Sequence, residues 1–155
     1  MKFLRNSLFI LLALYSVTAC KKSPLLYPVG DTPVDDPGNT VRIQEGTMLL
    51  RGIDQLRIDG AKIPNPFSDF VFVVMPGKRT LLTKNIQTGI VYSPENLRCY
   101  RLTAELLPGV DYVLDEDRDR HLALLKRADT KDVVATGNKV DEKAAYTKEC
   151  NWQRM

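Results

Sequence analysis

From Val41 onward, apolar and polar residues alternate in short runs separated by turn residues, the two-residue period of half-buried β-strands. Residues 53–58 (Ile-Asp-Gln-Leu-Arg-Ile) alternate and run into Asp59-Gly60, a pair suited to the positive φ values of a tight hairpin turn, so residues 61–63 are expected to return beside them. Residues 69–75 (Asp-Phe-Val-Phe-Val-Val-Met) are nearly all apolar, rich in β-branched and aromatic side chains, and stop at Pro76-Gly77. That run predicts a central strand covered on both faces, with residues 79–84 as its neighbour.

Residues 98–106 form a further strand, with Tyr100, Leu102, Ala104 and Leu106 on a core side and Cys99, Arg101, Thr103 and Glu105 on a polar side. Pro108-Gly109 turns the chain into residues 110–114, and the charged residues 115–120 are expected to form a solvated hairpin tip before residues 121–126 resume the pattern. A turn at 129–132 leads to Val133-Val134-Ala135-Thr136, which Gly137-Asn138 is expected to end. Strands this short, with no helical period before Asp141, predict an all-β fold, an antiparallel β-sandwich of roughly seven strands. Residues 141–148 are compatible with one short C-terminal helix.

The beginning of the chain has a different grammar. Lys2 and Arg5 precede an apolar run, residues 8–15, which is too short to span roughly 30 Å of hydrocarbon, and Val17-Thr18-Ala19 leads directly into Cys20. These residues resemble a bacterial lipoprotein signal peptide with its lipobox. The resemblance implies cleavage of residues 1–19 and attachment of diacylglycerol and a fatty acyl chain to Cys20. Lys21 at the next position implies outer-membrane sorting on the periplasmic side, the inner membrane or cell surface being the alternatives. Several acyl chains on one residue would anchor firmly, each buried CH₂ adding about 0.8 kcal/mol. Loss of Lys2 and Arg5 with the leader lowers the formal charge from +3 to +1, which removes the basic excess that a nucleic-acid partner would call for. Residues 20–40 then carry Pro24, Pro28, Pro33 and Pro37 among glycines and aspartates and predict an extended tether, leaving residues 41–155 as one domain.

With Cys20 acylated, Cys99 and Cys150 remain as an even pair in an oxidising compartment. A disulfide between them is expected; on the chain-entropy model, closing a loop of that length stabilises by about 4 kcal/mol. His121 is the one histidine, and it opens a strand after an acidic turn, where a surface or paired role outweighs a catalytic one. A small enzyme would need a pocket gathering His121 with Glu95 or Glu105. The acidic run Asp111, Asp115, Glu116, Asp117 and Asp119 lacks the spacing of a calcium loop and is interrupted by Arg118 and Arg120. No glycine-rich phosphate loop, nucleophile elbow or zinc-protease motif is present in the sequence. Neither a metal nor a cofactor is therefore expected, apart from the covalent lipid.

Residues 56–60 (Leu-Arg-Ile-Asp-Gly), followed by residues 72–81 (Phe-Val-Val-Met-Pro-Gly-Lys-Arg-Thr-Leu), resemble PEGA-type surface repeats, in which a strand ending in Asp-Gly precedes a second strand, an X-Gly turn and a third strand. The resemblance covers about a fifth of the chain and implies a β fold without implying a ligand. Taken together, the residues lead to the expectation of a non-enzymatic, membrane-tethered envelope protein whose β domain binds a protein partner. The alternative is a carbohydrate or peptidoglycan-binding module using Tyr92, Tyr100 and Trp152 as stacking aromatics.

Overall fold

The computed structural model describes residues 24–54, 56–57, 70–85 and 98–140. They form ten strands: β1 (Leu25–Pro28), β2 (Val41–Glu45), β3 (Met48–Ile53), β4 (Leu56–Arg57), β5 (Phe70–Val74), β6 (Gly77–Asn85), β7 (Cys99–Leu106), β8 (Asp111–Asp117), β9 (Leu122–Arg127) and β10 (Val133–Lys139). The strands hydrogen-bond in the order β1-β5-β2-β8-β9-β10-β7-β6-β3-β4. Two neighbouring pairs, β1 with β5 and β2 with β8, are parallel, and the other pairs are antiparallel.

The chain is all-β, as the alternation predicts, but its architecture is one mixed sheet curled into a half-barrel rather than two separate layers of about seven strands. The cause lies at Gly46-Thr47. Only these two residues join β2 to β3, although the two strands stand at the third and ninth positions of the sheet. The connection folds the sheet over its own core and is fastened to β8: Gly46 N donates to Leu114 O at 3.0 Å, Thr47 N to Asp115 Oδ1 at 3.2 Å, and Glu116 N to Thr47 Oγ1 at 2.8 Å. A Cβ at position 46 would lie 2.4 Å from Asp115 Oδ1 and 2.7 Å from Leu114 O, so the close approach requires glycine. Meanwhile β9, β10 and β7 keep the two limbs in one sheet around the curl, β10 meeting β7 through Asn138 and Lys139.

Inside the curl a single core forms around Tyr100, Tyr112, Phe72, Ile43, Met48, Leu50, Leu102 and Leu125, all with almost no exposure. On β7 the expected core face, Tyr100, Leu102, Ala104 and Leu106, is buried, while Arg101, Thr103 and Glu105 are exposed. Cys99 departs from the alternation: it is buried and packs against Val140, away from the main core. β5 is buried along its whole length, as a run of apolar residues without polar alternation demands.

Several local expectations are corrected. β1 and β2 occupy both edges of β5, so residues 79–84 are not its neighbour; β6 instead pairs with β3 and, in an eight-residue register, with β7. Residues 53–58 are not one continuous strand: the chain turns at Asp54, which holds φ 48°, and returns as β4 beside β3, while the hairpin expected at Asp59-Gly60 lies outside the described residues. Aspartate tolerates this conformation, and its carboxylate accepts hydrogen bonds from Thr80 N and Arg79 Nη1, each at 2.8 Å, tying the turn to β6. Gly137 does not end β10, which continues to Lys139.

Four residues of the expected tether, Leu25–Pro28, join the sheet as β1. Proline removes a ladder donor, yet β1 sits at the sheet edge, where Pro28 needs no outward partner. The Tyr27 ring packs edge-on against Phe72 with centroids 5.6 Å apart, and Val29 N donates to Val73 O at 2.9 Å. Thr32 and Thr40 are buried, their hydroxyls donating to Val29 O and Asp36 O. The leader, Cys20 and the proposed C-terminal helix lie outside the described residues.

Candidate functional site

The registers gather strand ends into two poles. At one pole lie Leu25, Glu45, Met48, Asn85, Cys99, Asp117, Leu122 and Lys139; at the other lie Pro28, Val41, Ile53, Val74, Gly77, Leu106, Asp111, Arg127 and Val133. They have opposite chemistry.

The Leu25 pole hides a polar network. β8 extends three residues past Leu114, through residues expected to form a solvated tip, and its alternation turns Glu116 inward to a side-chain exposure of 0%. Glu116 accepts hydrogen bonds from Tyr100 Oη and Asn85 Nδ2, each at 2.5 Å, while Arg98 Nη1 and Arg118 Nε stand 3.9 Å from its two oxygens. Two donors and two cations compensate the buried carboxylate. Burial pushes the Tyr100 phenol above its ordinary range, and the Glu116 hydrogen bond and charge reinforce the shift. Lys84, on β6, is pushed down to about 8, first by burial and then by the Arg51 charge. Burial also raises Glu45, against the opposing effects of the Leu50 N–H and Arg51. For Asp115 burial acts upward, but Lys126 Nζ at 3.0 Å and Thr47 together hold it below its ordinary range.

His121 stands exposed in the β8–β9 turn with φ 53°, its Nδ1 2.8 Å from Arg98 Nη1. It is paired with a cation, and Glu105 lies on the outer face of β7. Among the described residues, no group of three or more His, Cys, Asp or Glu side chains is arranged to hold a metal. The tyrosine at position 100 presents no ring face to solvent, which removes it from the candidate stacking residues. Tyr92, Trp152, Glu95 and Cys150 lie outside the described residues.

The opposite pole, called the Pro76 pole after the turn between β5 and β6, offers open strand edges. β10 pairs with β9 from Val133 to Asn138 but with β7 only at Asn138–Arg101 and Lys139–Tyr100. β7 runs on to Leu106, paired with β6 throughout. Between the vertex and the pole, residues 103–106 and 133–136 therefore have no ladder joining them. Gly137 marks the vertex: a Cβ there would meet Leu102 Cβ at 2.6 Å and Arg101 O at 2.7 Å. The open side is apolar. Of the five large hydrophobic residues exposed among the described ones, Met75, Leu107, Val133 and Val134 belong to this pole, with exposures of 44–49%. Val133 and Val134 open the strand expected after the turn at 129–132. The bulge between Val133 and Ala135 and the departure from β7 leave both in solvent.

No family model matches the chain, and neither a curated protein nor a solved structure is found to match it.

Proposed function

We propose that the protein is a non-enzymatic envelope lipoprotein, anchored through acylated Cys20 to the periplasmic side of the outer membrane, whose half-barrel binds a protein partner at the Pro76 pole. The observation that carries this reading is the fork between β7 and β10. Two facing strand edges without ladder partners among the described residues, bordered by exposed Leu107, Val133 and Val134, favour an extended polypeptide that adds as a strand and places alternate apolar side chains on those residues. A closed sheet would offer no such register. A Cys99–Cys150 disulfide fits the same compartment and would fasten the C-terminal segment to the start of β7, at the opposite pole from the fork.

A photocrosslinking amino acid at Val134, introduced in intact cells, should give one discrete adduct with an envelope protein. The same group at Arg118 should give none of it, and Thr136→Pro, which disrupts the β10 edge, should abolish it. No adduct at Val134, or the same adduct from both positions, would overturn the reading. The carbohydrate-binding alternative now rests on Tyr92 and Trp152 alone, since Tyr100 is buried.

A further inference from the structure

The direction in which the chain enters the sheet determines which pole meets a bilayer. β1 runs parallel to β5 and antiparallel to β2, and β2 runs parallel to β8, so β1 travels away from the end toward which β8 points. The start of β1 therefore lies on the side of the β8–β9 turn. Position 25 is level with Leu114: Leu25 pairs with Phe70, the β5–β2 register sets Val71 against Gln44, and Glu45 pairs with Leu114. Beyond that level β8 continues to Asp117, about 10 Å at about 3.4 Å per residue, before residues 118–121 turn.

From Cys20 to Leu25 the chain advances five residues, which reach at most about 17 Å when fully extended. The twenty-residue spacer expected from the proline pattern would reach on the order of 60 Å, but Leu25–Pro28 already join the sheet as β1. A hairpin projecting about 10 Å and a link of at most about 17 Å bring the turn to the depth of the lipid headgroups. The turn carries suitable chemistry. The side chains of Arg118 and Arg120 are 72% and 78% exposed, and their guanidinium nitrogens stand 3.8–3.9 Å from Glu116 and Asp117, beyond hydrogen-bonding distance. The same hairpin carries Asp117 and Asp119, and Arg98 at this pole is engaged by His121 Nδ1 at 2.8 Å, so Arg118 and Arg120 are the donors that point to a phosphate. Arginine donors in this state suit phosphate oxygens, which they can bind in pairs.

We infer that the β8–β9 turn is a membrane-facing surface, with Arg118 and Arg120 binding lipid phosphate and the fork between β7 and β10 held outward at the far pole. The inference rests on acylation of Cys20. It specifies an orientation that anchoring alone leaves open, because a long tether would let the domain tumble.

The acylated full-length protein, reconstituted into vesicles of phosphatidylethanolamine and phosphatidylglycerol with a headgroup spin-labelled lipid, tests it. A fluorophore on Asp119→Cys should be quenched several-fold more than one on Lys131→Cys in the β9–β10 turn. Inserting ten Gly/Ser residues after Lys22 should bring position 119 down to the level of position 131, and Arg118→Gln with Arg120→Gln should at least halve its quenching. Equal quenching at 119 and 131, or quenching indifferent to both the insertion and the arginine substitutions, would overturn the inference while co-flotation with vesicles left the anchor intact. Failure to co-float would overturn both.

Discussion

The two poles of the half-barrel solve opposite problems with the same strand geometry. At the Leu25 pole, polar residues are drawn inside: Glu116, Tyr100, Asn85 and Lys84 are buried where strands converge, and the carboxylate is matched by donors and guanidinium groups. At the Pro76 pole, apolar residues are pushed outside, because β10 leaves β7 and, among the described residues, no neighbouring strand covers Val133 or Val134. Burial of polar groups commits one pole to stability. Exposure of apolar groups leaves the other with surface to bury against something else. Substitutions at the first pole should therefore cost folding free energy, and substitutions at the second should cost binding.

The largest effect is expected from Glu116→Ala, which strands the Tyr100 hydroxyl and the Asn85 amide in a buried site. Urea denaturation should show a loss of about 3–5 kcal/mol. Glu116→Gln retains a carbonyl acceptor and should lose less. A loss below about 1 kcal/mol for the alanine variant would mean that the network does not support the pole. Next comes Gly137→Ala at the vertex between the poles, where the added methyl meets Leu102 Cβ and the Arg101 carbonyl; overpacking of this kind costs about 1–3 kcal/mol and should be visible as a lowered Tm.

A smaller effect depends on pH. Lys84 titrates at about 8 in the fold against 10.5 when unfolded, so between these values the unfolded chain binds more protons and stability rises with pH. With solvent screening of a partly hydrated group, the gain should be on the order of 1–2 kcal/mol. Tyr100 acts in the other direction. Its folded value is raised, so its contribution is complete below pH 10 and declines as the unfolded phenol ionises above that point. Denaturation midpoints should climb from pH 8 and fall above pH 10, and Lys84→Gln should flatten the climb. The smallest change in stability belongs to Val134→Lys, within about 0.5 kcal/mol of the parent because the residue is exposed. The same variant should lose the crosslinked partner, since an edge lysine opposes strand addition. A Val134→Lys protein that unfolds readily would erase the contrast between the poles.

Where burial follows strict alternation, the sequence was informative. The core face of β7 and the two-sided burial of β5 follow from the order of residues alone, because a strand's side chains must point to alternating sides and an all-apolar run needs cover on both. Charge misled the reading of residues 115–117. Alternation places Glu116 inward, but a run of acids suggests solvent, and its donors arrive from β6 and β7, 31 and 16 residues earlier in the chain. Proline density misled in the same manner at β1, whose edge position makes the missing donor harmless. The fork has almost no signature in one dimension, since Val133-Val134 looks like any strand start.

The order of residues by itself determined that this chain forms short strands and which faces of them avoid water. Tertiary structure alone decided that β2 and β3 lie on opposite limbs of one curled sheet, that β1 closes the edge of β5, and that β10 parts from β7. The physical reason is range: side-chain alternation is set by neighbouring peptide units, whereas strand order and open edges depend on which distant segment first occupies each row of donors and acceptors.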